Sequence, residues 1–198
     1  MSVHDEKFRA ILKQHAGYIT ATQATETGIP RRCLTEMCVA GQLYKVDRGI
    51  YASEDIWEDH MYCLQYRYSK GIFSHGTALW LHDLSDREPL RFTMTFPRGY
   101  NVSGVKNRNI IAPVVKSELY EMGVIEVTSN YGNPLRVYDV ERSLCDAVRG
   151  DNAYNVELVV PAMQWYARRK RYNIHKLMQY AKALHVEAKI QNYMRALL

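Results

Sequence analysis

The chain has 198 residues, 47% of them hydrophobic and 24% charged, a composition that supports one large or two small globular domains with real cores. Its formal net charge of +5 is mildly basic and admits nucleic acid as a partner without requiring one. The N-terminus MSVHDEKFRA is polar, no apolar run approaches the ~18 residues of a membrane helix, and Cys33, Cys38, Cys63 and Cys145 form no CxxC pair and have no histidine at finger spacing. These features argue against secretion, membrane insertion and a zinc site, and the expectation is four reduced thiols in a cytoplasmic protein.

Lys7 to Ala16 reads as a first helix, with Phe8, Ile11 and Leu12 at i, i+3 and i+4 and Gly17 ending it. Thr20 begins the next helix, and Thr20 to Gln23 fits a capping box in which hydroxyl and amide satisfy each other's backbone N–H. Gly28 closes that helix as a residue free to adopt positive φ. Pro30 suits the start of a third helix, where its missing N–H is harmless. At 100° per residue Leu34, Met37 and Cys38 share one face, while Arg32, Thr35, Glu36 and Val39 point the other way, with Arg31 at the flank. Gly41 stops this helix. Leu43 to Tyr51 then alternates around Asp47-Arg48-Gly49 as a hairpin with glycine at the left-handed position.

Helix, turn, helix and hairpin in this order make a winged helix-turn-helix, whose partner is duplex DNA. Arg31, Arg32, Thr35 and Glu36 on the third helix and Lys45 and Arg48 on the hairpin are the candidate DNA-binding residues. Arg32 and Thr35 suit base edges, Glu36 suits a cytosine amine but equally suits repulsion of phosphate, and Lys45 and Arg48 suit the backbone or minor groove. Against this, residues 1–70 balance nine Lys/Arg with nine Asp/Glu, so the whole positive excess falls in residues 71–198. A net-neutral module also fits a protein-docking surface.

Ser53 to Asp59 is acidic and reads as the exit from the module, giving a DNA-binding domain over 1–59 and a second domain over 60–198. A tyrosine-rich helix is expected over 60–69 and another over 73–84. Arg91 to Phe96 alternates like a half-buried strand and stops at Pro97. Asn109 to Val115 is β-like but contains Pro113, so it fits an edge. Gly123 to Thr128 and Leu135 to Tyr138 flank a turn-rich loop and read as a hairpin. Asp139 caps a helix through Val148, with Arg142 and Asp146 placed to pair at i, i+4. The rest is helical, roughly 155–169, 174–184 and 186–197. The fold class is therefore α+β: an N-terminal winged helix-turn-helix followed by a mixed α/β domain ending in helices.

Arg168-Arg169-Lys170-Arg171 is a basic run at a helix end, and Arg98, Lys106 and Arg108 form a looser basic loop. Both are candidates for DNA backbone or a partner's acidic face, and both also suit a solvated helix end or loop. His75 and His82 lie about 10 Å apart along one helix face, too far for a single ion. Glu118, Glu121 and Glu126 are not spaced to hold two metals, and neither GxxxxGK[ST] nor GxGxxG occurs. The expectation is no metal, no cofactor and no catalysis.

Four segments together resemble the AbiEi-type antitoxins: Arg48-Gly49-Ile50-Tyr51, Ser74-His75-Gly76-Thr77-Ala78-Leu79, Phe96-Pro97-Arg98-Gly99-Tyr100 and Val140-Glu141-Arg142-Ser143-Leu144-Cys145-Asp146. Those proteins are the regulatory half of type IV, abortive-infection toxin–antitoxin systems of bacteria. The resemblance implies a winged helix that binds inverted repeats in its own promoter and represses the operon. It also implies a C-terminal domain that counteracts a nucleotidyltransferase-like toxin without needing a stable complex with it.

Overall fold

The computed structural model describes residues 3–106, 108–149, 156–168 and 173–197. The protein is mixed α+β, with helices and strands at the N-terminus and a helical C-terminal end. It divides into two compact units, one of residues 1–69 with 128–135 and one of residues 70–127 with 136–198.

In the first unit, α1 (Val3–Gln14) leads into β1 (Tyr18–Thr20), α2 (Ala21–Glu26), α3 (Arg31–Val39), β2 (Leu43–Asp47), β3 (Ile50–Ser53) and α4 (His60–Arg67). The capping box forms as the sequence implies: Thr20 Oγ1 accepts from the Gln23 N–H at 3.1 Å and Gln23 Oε1 accepts from the Thr20 N–H at 2.8 Å. Pro30 sits one place earlier than expected, as the extended residue before α3 rather than its first helical one. The three strands form an antiparallel sheet in the order β1-β3-β2, with a bulge between Lys45 and Asp47. Strand β1 is new relative to the sequence reading. It is three residues long and fully buried, and its register with β3 (Tyr18 opposite Ala52) comes from 34 positions away. The α1, α2 and α3 faces close over Phe8, Ile11, Ile19, Ala24, Ile29, Leu34 and Leu43. Asp59 is buried and starts α4, accepting from the Tyr62 N–H, Ser129 Oγ and Asn133 Nδ2.

The second unit is built on a five-stranded sheet ordered β6-β5-β4-β8-β7. Its strands are β4 (Ile72–Phe73), β5 (Met94–Pro97), β6 (Val114–Val115), β7 (Val124–Thr128) and β8 (Pro134–Tyr138). Here the expected helix over 73–84 is corrected. Ile72–Phe73 is the central strand, antiparallel to β5 and parallel to β8, and only α5 (His75–Leu81) is helical. Two residues buried on both sides carry no alternation, so a strand this short leaves no period to read. Pro113 keeps the 109–115 segment to a two-residue edge strand, in line with its missing donor. Short helices α6 (Ser103–Lys106) and α7 (Ser117–Tyr120) follow β5 and β6, and α8 (Val140–Ala147), α9 (Val156–Arg168), α10 (Ile174–Ala183) and α11 (Glu187–Leu197) complete the chain. The core runs through Leu79, Leu144, Val159, Met163, Leu177 and Ile190, where α5 and the last four helices pack.

Candidate nucleic-acid interface

The geometry of α3 divides its residues cleanly. Leu34 is fully buried, Cys33, Met37 and Cys38 are half-buried, and Arg31, Arg32, Thr35, Glu36 and Val39 are exposed. This is the face assignment that a 100° step per residue dictates once Leu34 is anchored in the core. Arg31 is tied back to α2, its Nε donating to Thr25 Oγ1 at 3.3 Å. Among the described residues nothing pairs with Arg32, Thr35 or Glu36 side chains, which stand on the outer face ready for an external partner.

The hairpin is held against the helices by specific bonds. The Gly49 carbonyl accepts from the Ala21 N–H at 2.8 Å, which satisfies a donor at the start of α2 and docks the turn there. Gly49 adopts φ +78, which the turn requires and a side chain would strain. Arg67 of α4 forms an ion pair with Asp47 at the base of the turn, and Tyr66 shares a 3.2 Å hydrogen bond with Thr22 of α2. Lys45 and Arg48 are exposed on this hairpin. Lys45 is close enough to α3 to pull the Cys38 thiol down against the dominant effect of burial, which raises it.

The Arg67–Asp47 pair also bears on charge. The first 70 residues are net neutral, but Asp47 is spent on Arg67 and Asp59 is buried. The acids that remain exposed after β3 are Glu54, Asp55 and Glu58. Arg31, Arg32, Lys45 and Arg48 therefore face only Glu36 among acids on α3 and the hairpin, a local excess that composition hides.

In the second unit Arg98 is exposed where β5 ends, and its N–H donates to the Val115 carbonyl at 2.8 Å, which sets it beside exposed Lys116. Sequence reasoning missed Lys116, because only the parallel β5–β6 register brings it there. Arg108 is exposed in the loop where Arg91 Nε donates to the Asn109 carbonyl at 3.4 Å. Arg168 is exposed at the end of α9. The Lys106 side chain and Arg169, Lys170 and Arg171 lie outside the described residues.

His75 and His82 have separate structural roles. His82 Nε2 is 2.8 Å from the Tyr138 carbonyl, and His75 Nδ1 is 3.1 Å from Ser74 Oγ. Burial lowers the His75 pKa, Asp146 opposes that, and Arg142 and Arg149 add to it. Arg142 and Asp146 do pair, Nε to Oδ2 at 2.9 Å, and both side chains are buried. Arg142 also donates to the Leu119 and Met122 carbonyls at 2.6 and 3.0 Å and lies 4.2 Å from the Tyr138 ring centroid. The pair is thus a strut that ties α8 to the segment before β7. Burial pushes the Cys63 and Cys145 thiols up to about 12, so neither supplies a thiolate at neutral pH. A cavity of about 780 Å³ is lined by Leu84, Pro89, Glu157, Leu158, Pro161 and Trp165.

Comparison with solved structures identifies the architecture first. The fold is similar to the crystal structure of the RV2827C protein from Mycobacterium tuberculosis, with a TM-score of 0.51 at 14% identity over 84% of this chain. The chain spans 66% of that protein's length, and at this identity the likeness is one of fold alone. The N-terminal unit then points to a family: residues 7–53 match the model of the AbiEi antitoxin transcriptional regulators. That match takes in α2, α3, the hairpin and every one of the six candidate DNA-binding residues. No curated protein matches the sequence.

Proposed function

We propose that the chain is a DNA-binding antitoxin that represses its own toxin–antitoxin operon. Residues 1–59 act as a winged helix-turn-helix, with α3 in the major groove and the β2–β3 hairpin as the wing on the adjacent backbone. Residues 60–198 counteract a nucleotidyltransferase-like toxin of the type IV, phage-defence kind, and no stable complex is needed. The observation that carries the reading is the exposed face of α3, where Arg32, Thr35 and Glu36 stand without internal partners beside the Lys45 and Arg48 hairpin. The family match over residues 7–53 supports it. Arg32 and Thr35 read bases in one half of an inverted repeat, and Arg31, Lys45 and Arg48 hold phosphates. Two copies on a repeat would then make about six phosphate contacts, so affinity falls with salt at a log–log slope near −5. The protein works by binding, without a catalytic step, cofactor or metal.

The test is a titration of the purified protein with the DNA upstream of its own gene and with a shuffled fragment of equal composition, each at two salt concentrations. Preference for the native fragment, weakened by salt, is expected. The balanced charge of residues 1–70 supports a second reading, in which the same unit docks a protein. That reading predicts no retention of either DNA at low or high salt.

A further inference from the structure

Val39 is 86% exposed at the C-terminal end of α3. It is aliphatic and β-branched, which gives it a lower helix propensity than alanine, and at that exposure it adds little to the core. Its position on the helix is specific. Seven residues after Arg32 and four after Thr35, it lies within about 20° of the first and 40° of the second at 3.6 residues per turn. It therefore shares the outward face with Arg32, Thr35 and Glu36 and ends that face at the last turn of the helix. A helix face that presents cations, a hydroxyl and a carboxylate to an acidic polymer has one kind of apolar target in the major groove, the C5-methyl group of thymine.

We infer that Val39 is a specificity-determining residue that packs on a thymine methyl. This rests on the DNA-binding reading above. The rise of the helix puts Val39 about 10 Å beyond Arg32 along the axis, a span of roughly three base-pair steps. The thymine thus lies about three pairs from the base that Arg32 contacts. The surrounding charges restrict where the apolar contact can form: Arg32 and the flanking Arg31 anchor one end of α3, and Lys45 lies near the other, by Cys38.

The experiment compares four DNAs, the native upstream fragment and its shuffled control, each amplified with thymidine or with deoxyuridine triphosphate. Uracil differs from thymine only in lacking the methyl group. The wild-type chain and V39A are titrated against all four by fluorescence anisotropy, and both are checked for equal thermal unfolding. Losing one buried methyl weakens binding by about fourfold per bound protomer. The wild type is expected to show that loss on uracil-containing native DNA and none on the shuffled pair. V39A is expected to bind native thymine DNA about as weakly as the wild type binds the uracil form, and to lose nothing more when uracil is introduced. If the wild type prefers native DNA but binds both of its forms equally, the thymine contact is refuted and the DNA reading stands. A uracil effect of the same size in V39A would also refute the assignment, because the methyl would then be read by another residue. If the wild type has no preference for native over shuffled DNA, the DNA reading fails and takes this inference with it.

Discussion

Replacing Arg142 with Met leaves a buried carboxylate without its cation, and the structure sets the size of the effect. The Arg142 side chain is wholly buried. Its Nε donates to Asp146 Oδ2 and its Nη1 to the carbonyls of Leu119 and Met122. Methionine fills much of the same volume but supplies none of these donors. Removing one partner of a buried ion pair costs about 3–5 kcal/mol. In a cooperative unit of roughly 120 residues, each kcal/mol lowers Tm by about 4 °C, so R142M should melt about 12–20 °C below wild type. Differential scanning calorimetry and urea unfolding of the full chain measure this directly. The double variant R142M/D146L removes the stranded charge as well and should recover part of the loss. It should still fall short of wild type by about 1 kcal/mol, since the part-buried carbonyls of Leu119 and Met122 lose the Arg142 donor. A stability of R142M within about 1 kcal/mol of wild type, or a double variant no more stable than the single one, would refute the stranded-charge effect.

Arg32→Ala should weaken native operator DNA by about 5- to 150-fold, the value of one bidentate base contact, and leave shuffled DNA nearly unchanged. Arg31→Ala should weaken both DNAs alike and reduce the salt slope by about 1, and equal behaviour of the two variants would remove the base-contact role from Arg32. Gly17→Ala places a Cβ 2.6 Å from Ile56 Cγ2 at φ +84, whereas Gly28→Ala at φ +76 meets open space. Both incur the left-handed penalty of about 1–2 kcal/mol, so urea unfolding should show Gly17→Ala to be the less stable by the cost of the clash alone. Burial lowers the His75 pKa, so the folded state favours the neutral ring. Its contribution is full above the unfolded value near 6.5 and is lost as pH falls through the folded value, because the unfolded chain takes up the proton first. His75→Gln should therefore flatten the decline in stability between about pH 7 and 5, and an unchanged slope would place the titration elsewhere.

The elements legible in the sequence are those whose determinants lie within one turn of each other. Thr20 and Gln23 cap α2, Gly28 and Gly41 stop helices at positive φ, Asp139 caps α8, and Gly49 turns the hairpin, each through bonds spanning a few residues. The same locality makes the outer face of α3 readable, because Leu34, Met37 and Cys38 at helical spacing fix which way Arg32, Thr35 and Val39 point. What stayed hidden depends on partners distant in the chain. The strands β1 and β4 are three and two residues long, too short for a period, and exist because Ala52, Met94 and Val137 pair with them. Arg67 beside Asp47 and Lys116 beside Arg98 come together through packing and register, so neither the local charge excess nor the second basic pair can be counted from composition. Arg142 and Asp146 have the same i, i+4 spacing whether the helix is wet or buried. Only the carbonyls of Leu119 and Met122, some 20 residues upstream, turn that spacing into a buried strut. Helix caps and faces follow from bonds a chain makes with its immediate neighbours, whereas burial and strand pairing follow from which distant segments exclude water together.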